Sequence, residues 1–171
     1  MPLVRVFAIA IAGCEEESIF IHPGERGKES TDMRTRNGPT LLVADDDRKS
    51  MLSVVQIANG LGYNCITATT GATAWREFSR FRFDLVVADL NMPGGDGAVL
   101  ARRIRTCSST PVVLLTELGP ASLDVCGIAD LAGIEVLAKP FSAAALRDAI
   151  ETNIRTVLEP AQTLSETEEA V

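Results

Sequence analysis

Short apolar runs alternate with segments of helical periodicity from Thr40 onward. The apolar runs predict strands at 40–44, 65–69, 84–88, 111–115 and 134–138. Residues 48–61 carry apolar side chains at positions i, i+3, i+4 and i+7, which predicts a helix with one buried face. The same reasoning predicts further helices at 71–81, 98–106, 120–131 and 142–158.

The strands and helices alternate along the chain, and this order favours one α/β fold. Residues 84–88 and 111–115 are apolar throughout, as expected for strands that are covered on both faces. Right-handed crossovers with helices on both faces then give a doubly wound parallel sheet. Ligands of such sheets bind beyond the carboxyl ends of the strands. We find no internal repeat and no second domain.

Polar side chains follow the predicted strands at the edge where a ligand would bind. Asp45 and Asp46 follow the first strand, Asp89 the third, Thr116 the fourth and Lys139 the fifth. Each residue taken singly has an ordinary explanation as a helix cap or a turn residue. Carboxylates, a hydroxyl and an ammonium group at one edge together indicate a phosphoryl-transfer site.

The chemistry of such a site gives each side chain a role. The consecutive carboxylates from Asp45 to Asp47 repel one another, and hard oxygen ligands favour Mg²⁺, although Asp47 also suits a helix cap. Asp89 is the proposed nucleophile, because a carboxylate attacks phosphorus to form an acyl phosphate. Lys139 would supply a fixed cation and Thr116 a hydroxyl for the phosphoryl oxygens.

Composition and charge narrow the function classes. With 171 residues, 46% of them hydrophobic, the chain is long enough for one well-buried core. The formal net charge of −7 argues against nucleic acid as a direct partner, and no apolar run is long enough to span a membrane. Residues 159–171 contain four Glu and no basic residue, which predicts a solvated acidic tail. We expect Cys65, Cys107 and Cys126, which have apolar neighbours, to be buried reduced thiols of a cytoplasmic protein.

Residues 1–37 do not continue the alternating pattern. They contain a short apolar run that ends in Ile11-Ala12-Gly13-Cys14, as in a bacterial lipoprotein signal, but the run is near the short limit for export. A disordered extension, or a biological start at Met33, accounts for this segment better. We therefore expect an extension at 1–37, a domain at 38–158 and the acidic tail at 159–171.

Four motifs together resemble the receiver domain of bacterial two-component response regulators. They are 41–47 (LLVADDD), 84–97 (DLVVADLNMPGGDG), 111–116 (PVVLLT) and 139–141 (KPF), in the family's order and near its spacing. The resemblance covers about residues 40–158 and implies a flavodoxin-like sheet of five parallel strands in the order 2-1-3-4-5.

The resemblance also implies roles for individual residues. Asp89 would be the phosphoacceptor, with Thr116 and Lys139 on the phosphoryl oxygens. Asp46 would bind Mg²⁺ directly and Asp45 largely through water. The site would be completed by Asp89 itself and the main-chain carbonyl of Asn91 as metal ligands, by a cis peptide before Pro140 and by a tight passage at Gly97.

Three features depart from the family pattern. Val136 stands where the family usually has Tyr or Phe, so the usual aromatic rotamer change is not available. Glu117 stands where a small residue is usual, and residues 133–136 approach the last strand by a path that is one residue shorter than usual. All three lie on the side that normally signals.

The leading interpretation is a stand-alone receiver rather than an enzyme. Its partners would be a sensor histidine kinase or a phosphotransfer protein and an unknown downstream protein, and a homodimer is left open. A phosphohydrolase of the haloacid dehalogenase type, with Asp45 as nucleophile, is an alternative, although the acidic pair which that family needs after Lys139 is missing. A non-phosphorylated interaction module is a third interpretation.

Overall fold

Seven strands and four helices are seen in the computed structural model, which describes residues 6–8, 19–21, 38–92, 97–117 and 132–158. The strands are β1 (Val6–Ala8), β2 (Ile19–Ile21), β3 (Thr40–Ala44), β4 (Asn64–Ala68), β5 (Leu85–Asp89), β6 (Val112–Thr116) and β7 (Ile134–Ala138). The helices are α1 (Arg48–Gly60), α2 (Gly71–Arg80), α3 (Gly97–Cys107) and α4 (Ala143–Leu158). The helix predicted at 120–131 lies outside the described residues.

The parallel part of the sheet has the predicted topology. Its order is β4-β3-β5-β6-β7, which is the order 2-1-3-4-5 of the five predicted strands. The doubly wound, flavodoxin-like fold is therefore confirmed. None of the helices within the described residues is long and apolar enough to cross a membrane.

Two short strands extend the sheet beyond β4. The strand β2 pairs antiparallel with β4, with Phe20 opposite Ile66, and β1 pairs antiparallel with β2. These strands belong to the segment that we predicted to be a disordered extension. The rest of residues 1–37 lies outside the described part of the chain, so the predicted boundary at residue 37 stays a prediction.

The sheet separates two hydrophobic clusters because successive side chains of each strand point to opposite faces. In β3, Leu42 and Ala44 belong to the cluster that includes residues of α2 and α3, whereas Leu41 and Val43 belong to the cluster that includes residues of α1 and α4. All of these β3 side chains are buried. The burial of both faces also explains why residues 85–88 of β5 and 112–115 of β6 are apolar throughout.

Three residues define helix ends, and the cap at Asp47 is the one predicted above. The Asp47 carboxylate accepts hydrogen bonds from the backbone N–H groups of Lys49 and Ser50 and so caps α1. After α1, Gly62 has a φ of +86°, a conformation that glycine adopts at little cost. The Ser142 hydroxyl accepts a hydrogen bond from the N–H of Ala145 at the start of α4.

The cysteines divide into two environments. Cys65 is buried in β4, and burial raises the pKa of its thiol to about 12, so it stays protonated. Cys107 is exposed at the end of α3, and the expectation that it is buried was wrong, because the last turn of α3 carries it out of the core. The other cysteines, at positions 14 and 126, lie outside the described residues.

A close backbone approach connects β5 to α3. The Gly97 N–H donates to the carbonyl of Leu90 at 2.8 Å, and a Cβ atom at position 97 would collide with the backbone carbonyl of Asp89. Only glycine therefore fits at the first residue of α3 without a backbone shift.

We expect Gly97→Ala to lower the free energy of unfolding by about 1–3 kcal/mol, the usual effect of overpacking at a well-packed position. Gly60→Ala is the matched control, because a Cβ atom at position 60 meets nothing within 4 Å. The control should be neutral or stabilising by up to about 1 kcal/mol. Urea denaturation of both variants measures the difference, and equal stabilities would contradict the close approach.

Candidate functional site

The carboxyl ends of β3, β5 and β7 place two carboxylates around one ammonium group. Asp45 directly follows β3, Asp89 is the last residue of β5, and Lys139 directly follows β7. The Nζ atom of Lys139 lies 3.0 Å from Oδ2 of Asp45 and 3.3 Å from Oδ2 of Asp89. The structure therefore brings together three of the residues that the sequence predicted for the site.

Asp45 is fixed from several sides. It has an exposed fraction of 0%, and its Oδ1 atom accepts the backbone N–H of Asp47 at 2.9 Å. Its Oδ2 atom accepts the hydroxyl of Ser50 as well as the ammonium of Lys139. These hydrogen bonds fix the orientation of the Asp45 carboxylate, so it cannot rotate toward a ligand.

Ser50 is a site residue that the sequence reasoning missed. It lies in the first turn of α1, which Asp47 caps, and this turn carries the Ser50 hydroxyl back to Asp45. The signal was available in the sequence, because a hydroxyl three residues after a helix cap faces the chain that precedes the helix.

Three carboxylates form a cluster of hard oxygen ligands. One oxygen from each of Asp45, Asp46 and Asp89 lies within 4.8 Å of the others, and Asp46 is exposed at the mouth of the cluster. Asp47 does not belong to the cluster because its carboxylate caps α1. Converging carboxylates are the donor set that Mg²⁺ or Ca²⁺ prefers, so the residues present fit a divalent cation.

The surroundings shift the pKa values of two site residues. Burial raises the pKa of Asp89, the ammonium of Lys139 opposes this shift, and the Asp45 charge adds to it, so the net pKa lies above the ordinary value. Burial alone would lower the pKa of Lys139, but the hydrogen bond and charge of Asp45, together with Asp89, raise it above its ordinary value. Lys139 is therefore a permanent cation, whereas the ionised form of Asp89 is disfavoured in the folded protein.

Thr116 lies at the end of β6, and Asn91 lies two residues after the end of β5. Thr116 is the buried last residue of β6, and its carbonyl accepts the N–H of Lys139 at 2.6 Å. The exposed Asn91 follows β5, and its backbone N–H donates to the Asp89 carboxylate. The participation of the Thr116 hydroxyl and the Asn91 carbonyl stays a prediction.

The far side of Lys139 opens onto a groove of about 640 Å³. The peptide bond between Lys139 and Pro140 is cis, as the family resemblance implied. The lining residues come from α1, from the position after β6, from the turn after β7 and from the start of α4, and they are Ser50, Ser53, Ile57, Glu117, Lys139, Pro140, Phe141 and Ala143. Glu117 is exposed and adds a negative charge to this groove.

Val136 points into the fold from the middle of β7. It is half-buried and packs against the cluster on the α2 and α3 side of the sheet, with Leu114 as its neighbour in β6. A valine in this position has no ring that could exchange between an inward and an outward position.

We expect Asp89→Asn to raise the melting temperature of the metal-free protein at pH 7. The pKa of Asp89 is raised on folding, so ionised Asp89 destabilises the folded state above that pKa, and the penalty disappears as the pH falls through it. The stability gain should therefore shrink as the pH is lowered toward about 4.

Differential scanning fluorimetry in EDTA over this pH range measures the gain. Asp148→Asn, at an exposed position of α4, is the matched control and should show no such pH dependence. A gain that is constant with pH would contradict the role of the Asp89 charge.

Comparisons with known proteins agree on one kind of domain. A family model described as "Response regulator receiver domain" matches residues 41–151. The chain is 35% identical over 130 residues to Protein PetR of Rhodobacter capsulatus, covering 74% of this chain and 53% of PetR. It is 32% identical over 142 residues to the virulence sensor protein BvgS of Bordetella pertussis, covering 77% of this chain and 11% of BvgS. The chain thus spans about half of the first relative and about a tenth of the second.

Solved structures give the same result. A putative response regulator from Chloroflexus aurantiacus superposes with a TM-score of 0.63 at 28% identity, covering 70% of this chain and 99% of that one. The chemotaxis response regulator CheY4 of Vibrio cholerae superposes with a TM-score of 0.62 at 26% identity, covering 68% of this chain and 99% of CheY4.

Proposed function

The chain belongs to the response regulator receiver domain family, whose members are phosphorylated by two-component kinases, and we propose that it accepts the phosphoryl group on Asp89. The observation that carries this proposal is the juxtaposition of Lys139 with Asp45 and Asp89 at the carboxyl ends of three parallel strands.

The different burial of the two carboxylates supports Asp89 as the nucleophile. Asp45 is fully buried and its oxygens are occupied by the bonds to Asp47, Ser50 and Lys139. The Asp89 side chain is 13% exposed and has a raised pKa. An incoming phosphorus atom therefore has better access to Asp89, which also argues against a haloacid dehalogenase mechanism with Asp45 as nucleophile.

The proposed reaction is a transfer from a phosphohistidine of a sensor kinase or a phosphotransfer protein. A carboxylate oxygen of Asp89 forms a bond to phosphorus, the P–N bond to the donor imidazole breaks, and the imidazole keeps the electron pair and takes up a proton. Lys139 and the Thr116 hydroxyl would neutralise the charge on the phosphoryl oxygens.

The acidic cluster would hold Mg²⁺ for this reaction. Asp46 and Asp89 would be direct ligands, Asp45 would act largely through water, and the Asn91 carbonyl would complete the protein ligands. When bound, the cation neutralises negative charge between Asp89 and the phosphoryl group. The chain's own contribution is to hold the carboxylates in place through Ser50 and Lys139.

We propose that a protein contact or a further phosphoryl transfer in a phosphorelay carries the signal onward, in the cytoplasm and without direct contact to nucleic acid. Val136 packs into the hydrophobic cluster and lacks an aromatic ring, which supports a readout without the usual aromatic rotamer change. The added charge of about −1.5 to −2 on Asp89 would then act through the loops at the sheet edge.

We expect incubation with Mg²⁺ and phosphoramidate to give one phosphoryl adduct, and Asp89→Asn or EDTA to abolish it. Intact-mass analysis measures the adduct. Asp148→Asn is the control, because it removes an exposed carboxylate of α4 and should leave the adduct unchanged. A stable adduct on Asp89→Asn would remove Asp89 from the proposed role.

We expect Glu117→Gln to accelerate phosphorylation by acetyl phosphate roughly twofold to fivefold, since two exposed charges a few ångströms apart interact by about 1 kcal/mol or less. The reason is that Glu117 lines the groove beside Lys139 and repels an anionic donor. The acceleration should fade at about 0.5 M salt, where such charges are screened. An unchanged rate at low salt would show that Glu117 does not face the incoming donor.

A further inference from the structure

Two donors share a single oxygen of the buried Asp45 carboxylate. The Ser50 hydroxyl donates to Oδ2 at 2.5 Å, and the Lys139 ammonium donates to the same atom at 3.0 Å. The other oxygen, Oδ1, accepts the backbone N–H of Asp47. Asp45 has an exposed fraction of 0%, so bulk water does not reach its carboxylate to replace a donor that leaves.

Lys139 is shared between two carboxylates. Its Nζ atom lies 3.3 Å from Oδ2 of Asp89 in addition to its contact with Asp45, and its side chain is 15% exposed. In the proposed function, a phosphoryl group on Asp89 adds a charge of about −1.5 to −2 beside this ammonium. Because a lysine ammonium is a compact charge on a flexible stem, the added charge would draw it toward the phosphoryl oxygens and away from Asp45.

The loss of the Lys139 contact would be unfavourable for Asp45 if no other donor bonded Oδ2. A buried carboxylate that loses a hydrogen-bond partner still carries its desolvation penalty. The Ser50 hydroxyl makes the shorter of the two contacts to Oδ2 and belongs to α1, whereas Lys139 follows β7. A movement of the Lys139 side chain therefore does not remove the second donor.

The position of the Ser50 hydroxyl is set without Lys139. The backbone N–H of Ser50 donates to the Asp47 carboxylate that caps α1. The N–H of Asp47 is in turn bonded to Oδ1 of Asp45. A closed set of hydrogen bonds, from Asp45 through Asp47 to Ser50 and back to Asp45, thus holds the hydroxyl on Oδ2.

We propose that Ser50 is a positioning residue, whose hydroxyl keeps Asp45 hydrogen-bonded while Lys139 moves from Asp45 to the phosphoryl oxygens on Asp89. This inference rests on the proposed phosphorylation of Asp89 and adds no bond-making step to it. Ser50 acts through Asp45 and Lys139 and does not contact the phosphoryl group. Without the hydroxyl, Lys139 would be the one remaining donor to Oδ2 among the described residues and would be held on Asp45.

Ser53 provides a matched control on the same helix. It lines the same groove as Ser50, but its hydroxyl donates to the backbone carbonyl of Lys49 at 2.9 Å rather than to a carboxylate. Ser50→Ala and Ser53→Ala remove the same atom from α1, and only the first removes a donor to Asp45. Ser50→Thr is the conservative variant, because it keeps a hydroxyl at this position.

The first experiment does not involve phosphorylation. Differential scanning fluorimetry at pH 7 in EDTA compares the wild type, Ser50→Ala, Lys139→Met and the combination of both changes. We expect Ser50→Ala to lower the melting temperature by at least about 3 °C more in the Lys139→Met protein than in the wild type, because Oδ2 of Asp45 then loses both donors. Ser53→Ala should have the same effect in both backgrounds, and an equal loss for Ser50→Ala in both would overturn the inference.

The second experiment follows the phosphoryl adduct by intact-mass analysis with phosphoramidate and saturating Mg²⁺. We expect Ser50→Ala to lower the maximal rate roughly tenfold, the usual effect of losing a hydrogen bond to a charged group, with the half-saturating phosphoramidate concentration unchanged. Ser50→Thr should restore most of the rate, and Ser53→Ala should leave it unchanged.

The outcomes separate the inference from its competitors. If Ser50→Ala needs more Mg²⁺ but reaches the wild-type maximal rate, Ser50 only orients Asp45 for the cation, and the inference is overturned. A lower melting temperature with an unchanged rate and Mg²⁺ requirement would assign Ser50 a purely structural role, which also overturns it. These results on a wild type that forms the adduct count against the inference alone, whereas a wild type without an adduct contradicts the proposed function itself.

Discussion

The ammonium group of Lys139, placed between the carboxylates of Asp45 and Asp89, is the interaction on which the acidic edge of this fold depends. Parallel strands deliver their carboxyl ends to one side of the sheet, so side chains that follow β3, β5 and β7 must meet there. Two carboxylates brought together in this way repel each other, and burial adds a desolvation penalty. Lys139 offsets both effects, and the raised pKa of Asp89 shows that the compensation is incomplete.

The pattern of apolar residues was sufficient to predict the parallel sheet because β3, β4, β5 and β6 are buried on both faces almost throughout, and the edge strand β7 is half-buried. It was less exact at strand ends, since Asp89 and Thr116 are polar but still pair with neighbouring strands through their backbones. The burial of Glu77 in α2 and the exposure of Cys107 in α3 depend on which helix face meets the sheet, and the local sequence does not determine this. The pairing of β2 with β4 joins residues distant in sequence, and no periodicity within the short β2 segment could indicate it.

The sequence predicted which residues meet at the candidate site better than it predicted how their roles differ. The positions of Asp45, Asp89 and Lys139 follow from strand ends alone, and the structure places the Lys139 ammonium within ion-pair distance of both aspartates. Asp45 is more buried than Asp89 because of how the first turn of α1 is oriented. This turn brings Ser50 onto Asp45 and leaves Asp89 more accessible. The cap at Asp47 sets this orientation. The sequence indicated the cap but did not show where the Ser50 hydroxyl would point.

The hydrogen bond from the Lys139 N–H to the Thr116 carbonyl joins the ends of β6 and β7 through main-chain atoms. A main-chain hydrogen bond of this kind does not depend on which side chains are present. The same holds for the hydrogen bond from the Leu90 N–H to the Leu115 carbonyl between β5 and β6. The residues of the candidate site are thus held by the sheet, whereas the outer faces of the helices contribute little to their placement. Helix surfaces are free to diverge during evolution, and lineages that share one phosphoryl chemistry can acquire different recognition surfaces without rebuilding the reactive centre.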